Sequence, residues 1–142
     1  MRTVEKVDLG AEQALVLAQA ALAMARQQGW EIAVSVCDSR GVPLVLLRTD
    51  RVIDPAIGFA IDKAYTAAQL RRPTAAFAER ALSRPPLALG LANRDRLLVF
   101  PGGLPVMLDG ACIGGIGVSG ATDEDDVQCA RAALAQHGFE TP

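Results

Sequence analysis

Apolar residues recur along this chain at two different periods, and the switches between them outline its elements. Leu15, Ala18, Leu22 and Ala25 follow helical spacing, with Asp8 placed to cap the start and Gly29 placed as the left-handed residue that stops a helix. Residues 32–37 and 43–47 are rich in β-branched and aliphatic side chains and flank Asp38-Ser39-Arg40-Gly41, which reads as a hairpin loop between antiparallel strands. Pro55 can open a helix running to about residue 70, with Ile57, Ala60, Ile61, Ala64 and Ala68 on one side, and Pro73 can open a shorter one behind Thr74. Pro85-Pro86 interrupts the helical pattern before residues 87–92, and residues 97–100 begin a second group of strands. Asp109-Gly110, between residues 104–108 and 111–118, is a two-residue hairpin signal, because a type I′ turn needs positive φ at both central positions. Thr122 followed by Asp123, Glu124 and Asp125 opens the last helix, its acidic first turn complementing the helix dipole.

In order these elements read α-β-β-α-β-β-β-α. Every link within a strand group is short enough for a hairpin, so the pattern predicts an α+β fold with a five-stranded antiparallel sheet flanked by helices. At 142 residues, with no internal repeat or linker, residues 1–142 are expected to form one domain with a core of its own. Hydrophobic residues make up 51% of the chain, enough for some to face another subunit, so a homo-oligomer is expected.

Charge removes several classes of function. The formal net charge is −2 with signs scattered, which supplies no basic stripe for a phosphate backbone, so nucleic acid is not an expected partner. No run approaches the ~18 apolar residues of a membrane span, and the opening MRTVEKVDLGAEQ lacks an apolar leader core; a cytoplasmic location is expected. Cys37, Cys112 and Cys129 form an odd set without C-x-x-C spacing, each in an apolar setting that suits a small buried hydrophobe.

The chemical motifs are few. Gly115-Ile116-Gly117-Val118-Ser119-Gly120 matches G-x-G-x-x-G and leads from a strand into a helix, the context of a dinucleotide site. No strand follows to complete a βαβ unit, and Asp123, Glu124, Asp125 and Asp126 stand where a pyrophosphate would sit, so the segment reads as a tight turn whose amides, with Ser119, are open to a small ligand. His137 is the only histidine, which leaves no Ser-His-Asp or Cys-His pair, no H-E-x-x-H and no metal set. A more physical cluster is Arg48, Asp50, Lys63 and Thr66 with the 100–103 loop. Lys63 and Thr66 share a helical face, Arg48 and Asp50 share one side of a strand end, and Gly102 and Gly103 let main-chain amides approach. Arg offers a planar fork for a carboxylate and Lys a point charge, so Arg48, Lys63, Thr66, Phe100, Gly102, Gly103 and Ser119 are the candidate ligand-binding residues. The plainer alternative is that Arg48–Asp50 and Lys63–Asp62 are surface ion pairs of little energetic worth. In an enzymatic version Lys63 or Asp50 is the base for proton transfer or isomerisation on a small oxo or hydroxy acid, with Arg48 holding its carboxylate.

Residues 100–126 read FPGGLPVMLDGACIGGIGVSGATDEDD. With its PGG-x-P segment, DG turn and IGVSGA tail in that order, this stretch resembles the GlcG/HbpS family. Val36-Cys37-Asp38-Ser39-Arg40-Gly41, Arg48-Thr49-Asp50 and Lys63-Ala64-Tyr65-Thr66-Ala67 look like the same family's other half, so the resemblance spans about residues 14–134. It implies a profilin-like three-layer α/β/α arrangement and a small-molecule-binding protein whose ligand is haem, another tetrapyrrole or a small carboxylate, held near Lys63 and the 100–103 loop. Haem is implied by the resemblance alone. A lone histidine at the end of the last helix cannot supply a paired site within one chain, and Cys37 and Cys112 lie mid-strand among aliphatics where thiolate formation is disfavoured, which leaves a weak or oxygen ligand such as Tyr65 or Thr66. Arg51-Val52 stands where relatives usually place Gly-Ala, adding bulk and charge beside the expected pocket.

Overall fold

A computed structural model describes residues 1–142. Its elements are α1 (Ala11–Gln28), β1 (Ala33–Asp38), β2 (Pro43–Arg48), α2 (Asp54–Leu70), α3 (Thr74–Leu82), α4 (Pro85–Ala92), β3 (Gly103–Leu108), β4 (Ala111–Ser119) and α5 (Asp123–Gln136). The four strands form one antiparallel sheet in the order β2-β1-β4-β3. Helices α1 and α5 lie on one face and α2 on the other, which gives three layers.

The sheet therefore has four strands and not five. Residues 97–100, expected to begin the second strand group, run as a loop and leave the outer edge of β3 without a neighbour. The loop's polar groups turn to side chains instead: the Leu98 N–H donates to Thr66 Oγ1 at 2.9 Å, and Thr74 Oγ1 donates to the Phe100 carbonyl at 2.8 Å. Pro85-Pro86 does interrupt α3, yet it also starts α4, since proline at the first helical position forfeits only an N–H that has no partner anyway.

Both hairpins form. Asp109 and Gly110 have φ of 50° and 81°, the two positive values a type I′ turn demands. In the other, Asp38 Oδ1 accepts from the N–H groups of Arg40 and Val42, at 2.9 and 3.0 Å, and closes the turn. Asp8 does not cap α1; Gly10 holds that position. The Asp8 carboxylate accepts from Ser39 N–H at 2.8 Å and Ser39 Oγ at 3.1 Å, tying the N-terminal segment to the β1–β2 turn.

The core follows strand alternation. Val34 and Val36 of β1, Leu104 and Val106 of β3, and Ile116 and Val118 of β4 point toward α1 and α5, where they meet Leu17, Leu22 and Leu134. The stripe of α1 that meets them is Ala14, Leu17, Ala18, Ala21, Leu22 and Ala25, while Leu15, expected on the inner side, is 40% exposed. On α2 the buried residues, Lys63 and Thr66 apart, are the small ones, Ala56, Ala60, Ala64, Ala67 and Ala68, with Ile57 and Ile61 only half-buried. The opposing strand residues explain this: Gly115 and Gly117 present no side chain to α2, and a Cβ on either would collide with the carbonyl oxygens of Ala64 and Ala60 respectively. No helix is long and apolar enough to cross a membrane.

Candidate functional site

Lys63 is the one long polar side chain on the buried face of α2, and it is 2% exposed. Its amino group donates to the Val118 carbonyl at 2.8 Å and to Asp126 Oδ2 at 3.2 Å. Asp126 is equally buried, and its other oxygen accepts from the Ala121 N–H at 3.0 Å. The pair thus links α2, the end of β4 and the first turn of α5. Burial lowers the Lys63 pKa and lifts that of Asp126 to about 6, each group's attraction for the other opposing the shift. Asp126 drew no notice in the sequence as anything but one of four acidic residues. The signal was available, since 126, 129, 130, 133 and 134 form the buried stripe of α5 and place a carboxylate on its apolar face.

Gly102 and Gly103 close the space around this pair. A Cβ at Gly102 would strike the Val118 carbonyl and stand 2.9 Å from Lys63 Nζ, while one at Gly103 would strike Thr74 and the backbone of Lys63. Thr74 Oγ1 bridges the turn, accepting from the Gly103 N–H at 3.0 Å. Thr66 Oγ1 is occupied by the Arg96 carbonyl at 3.1 Å and the Leu98 N–H. The Phe100 ring is half-exposed and packs edge-on against Phe59 with centroids 5.7 Å apart. Lys63, Thr66, Phe100, Gly102 and Gly103 are therefore neighbours, with Ser119 following Val118 on β4, but the polar groups at their centre are spent on one another.

Arg48 and Asp50 stand apart from that group. Arg48 lies at the end of the edge strand β2 and donates to the carbonyls of Thr49 and Asp50, at 3.1 and 3.2 Å; no hydrogen bond or ion pair joins either residue to Lys63, Thr66 or the 100–103 loop. The expected Lys63–Asp62 and Arg48–Asp50 side-chain pairs are not formed: Asp62 pairs with Arg96 at 3.6 Å and Lys63 with Asp126. Asp50 instead faces a shallow cavity of about 260 Å³ with Arg26, Trp30, Glu31 and Arg51. The Arg51 of the Arg51-Val52 dipeptide thus opens onto this cavity, while Val52 is buried. Gly102 and Gly103 border a second cavity of about 280 Å³ beside Glu79 and Arg131. Lys63 lines none of the cavities described here.

The roomiest of them, about 660 Å³, escaped the sequence reading because its walls come from four distant stretches. The N-terminal segment contributes Lys6 and Val7, the β1–β2 turn Arg40, the end of α2 Ala68 and Arg71, and the β3–β4 hairpin Met107 and Cys112. Three cationic side chains thus face one opening beside apolar and sulfur-bearing walls, with Glu5 the single carboxylate among them. Arg40 is partly engaged by Asp38 at 3.2 Å. Cys112 is half-buried, its thiol donating to the carbonyls of Gly114 at 3.3 Å and Ala68 at 3.5 Å, and burial raises its pKa, so it sits there as the neutral thiol. Cys37 and Cys129 are buried and their thiols are pushed up to about 12 by burial. His137 is exposed at the end of α5, and the Tyr65 ring lies beneath the Arg96 guanidinium, 3.9 Å from its centroid. No group of three or more His, Cys, Asp and Glu converges as a metal site.

Residues 9–135 match the family model described as haem degrading protein HbpS-like. Among curated relatives, protein GlcG of Escherichia coli K12 is 34% identical over 114 residues, covering 80% of this chain and 83% of GlcG. Among solved structures, a double mutant of Streptomyces reticuli HbpS superposes with a TM-score of 0.87 at 35% identity, over 94% of this chain and 90% of that one. A complex of PduOC with haem superposes with a TM-score of 0.85 at 28% identity, over 95% and 99%.

Proposed function

Since this chain belongs to the HbpS-like family, we propose that it is a small-molecule-binding protein whose ligand is an apolar, carboxylate-bearing molecule of the haem or tetrapyrrole class. The observation that carries this reading is the groove of about 660 Å³ between the N-terminal segment, the end of α2 and the β3–β4 hairpin. Its volume lies within the roughly 300–1,000 Å³ of small-molecule sites, and its walls combine apolar surface with a few convergent charges. Lys6, Arg40 and Arg71 fit the carboxylates of such a ligand. Val7, Ala68 and Met107 fit its apolar body, and Met107 is the soft donor on hand for an iron. The iron would supply the redox chemistry; the chain's own part is to bind, orient and partly desolvate the macrocycle. In this reading Lys63, Thr66, Gly102 and Gly103 hold the fold together, and Lys63, the base of the small-acid enzyme, has its amino group spent on Val118 and Asp126.

The test is titration of the full chain with haemin, followed by absorbance and melting temperature, because a ligand that binds only the native state must raise its stability. Saturable binding is expected, weakened about tenfold in a variant carrying both Lys6→Ala and Arg71→Asn; asparagine suits position 71, where φ is 57°. Iron-free protoporphyrin run in parallel separates the carboxylate contribution from that of the Met107 thioether. Absence of saturable binding, or affinity unchanged in the double variant, would remove the groove from consideration.

A further inference from the structure

The cavity of about 260 Å³ that Asp50 faces shares no residue with the groove of about 660 Å³. It lies where α1 ends and β2 runs out. Gly29 stops α1 at φ 75°, and the Trp30 N–H donates back to the Ala25 carbonyl at 2.8 Å, which fixes where the half-buried indole is presented. Thr49 is buried and clamped to Ile32: its hydroxyl accepts from the Ile32 N–H at 2.9 Å, and its own N–H donates to the Ile32 carbonyl at 2.8 Å. The Arg51 N–H donates to Glu31 Oε2 at 3.2 Å. Backbone bonds thus set the frame of the cavity. Two arginines, Arg26 and Arg51, and two carboxylates, Glu31 and Asp50, line it, yet none of the four takes part in an ion pair and neither arginine stacks on the Trp30 ring.

We propose that this cavity binds a free α-amino acid with an aliphatic side chain, its carboxylate on the arginines, its ammonium on Glu31 and Asp50, and its side chain against Trp30. Charge balance selects a zwitterion. A simple anion would bring its charge up to Glu31 and Asp50 and a simple cation would meet the arginines, whereas a molecule carrying both signs finds a complementary partner at each end. The chemistry of the donors agrees: a guanidinium holds a carboxylate through two parallel hydrogen bonds, and an ammonium has three donors to share between two carboxylates. Size agrees as well. The cavity falls just under the roughly 300 Å³ at which sites for drug-sized ligands begin, and Trp30 is the single hydrophobic residue in its lining, so it offers apolar cover for one small side chain and no more.

Trp30 is the only tryptophan of the chain, so its fluorescence reports on this cavity directly. The experiment titrates the full chain, free of haemin, with L-leucine and in parallel with isocaproate and isoamylamine, which are leucine without its ammonium and without its carboxylate; melting temperature is followed alongside. The expected result is a saturable response to L-leucine, with affinity at least about tenfold weaker for each half-molecule and in each of the variants Arg51→Gln and Glu31→Gln. Both positions are exposed, and glutamine at 31 still accepts the Arg51 N–H, so both variants should keep the wild-type far-ultraviolet circular dichroism. No saturable response to L-leucine, equal affinity for either half-molecule, or binding indifferent to the two substitutions would each overturn the proposal. The outcome does not depend on the haemin titration, which reads a different set of residues.

Discussion

The two faces of the sheet are built on opposite principles although they share the same strands. Toward α1 and α5, β4 offers Ile116 and Val118, and the interface is filled by interlocking aliphatic side chains. Toward α2, the same strand offers Gly115 and Gly117, and alanines of the helix come down until backbone meets backbone. The first face is stabilised by volume excluded from water, the second by close dispersion contact and one buried ion pair. A glycine-rich stretch that reads like a nucleotide motif is therefore a packing surface: the atoms a phosphate would need to approach are covered by α2.

The comparison breaks most severely at the ion pair. Lys63→Met leaves Asp126 buried without its partner, and an equilibrium urea titration should show a loss of about 3–5 kcal/mol. Adding Asp126→Leu should recover most of it, because both desolvated charges are then gone; a double variant as unstable as the single one would mean that the pair's worth lies elsewhere. On the aliphatic face, Ile116→Ala should cost about 3 kcal/mol by the same measurement, through lost burial and the cavity left behind. On the glycine face the sign of the volume change reverses. Gly117→Ala adds one methyl group where the Ala60 carbonyl already sits, and should cost about 2 kcal/mol by forcing α2 outward. Were the added methyl tolerated while the removed ones were not, the two faces would not differ as described.

The ion pair also sets a pH dependence. The Asp126 pKa is raised from 3.8 to about 6 in the folded chain, so the native state takes up a proton over that range before the unfolded chain does. Its contribution to stability is fully present below pH 3.8 and is lost as pH rises through about 6. Stability of the wild type relative to Asp126→Asn should thus increase as pH falls across that window, read from paired melting curves; a flat difference would refute the assignment. The smallest effect concerns Ser35, which is fully buried, pairs with Gly117 across the sheet, and has a hydroxyl without a hydrogen-bond partner. Ser35→Ala should stabilise the protein by about 1 kcal/mol, since it removes a desolvated hydroxyl and leaves no atom unpaired.

Much of the framework was legible because it depends on local chemistry. The Asp109-Gly110 turn, the loop at residues 38–41, the stop at Gly29 and the capped start of α5 at Thr122 each follow from what a few adjacent residues permit their backbone to do. Membership in the HbpS-like family likewise lies in short runs that can be read along the chain. Strand number was not local: residues 97–100 are apolar enough for a strand, yet their backbone is tied to Thr66 of α2 and Thr74 of α3 and not to the free edge of β3. The partners of charged groups were not local either. Lys63 stands next to Asp62 in sequence but bonds Asp126, because adjacent helical positions point in different directions while two elements meeting across a sheet bring distant residues together. The groove that could hold a ligand was least visible of all, its walls coming from residues 5–7, 39–40, 68–71 and 107–112. Local backbone preference was written in the chain; which charges were neutralised, which glycines were covered and where space remained were settled by packing, since each depends on what another part of the chain brings to the same place.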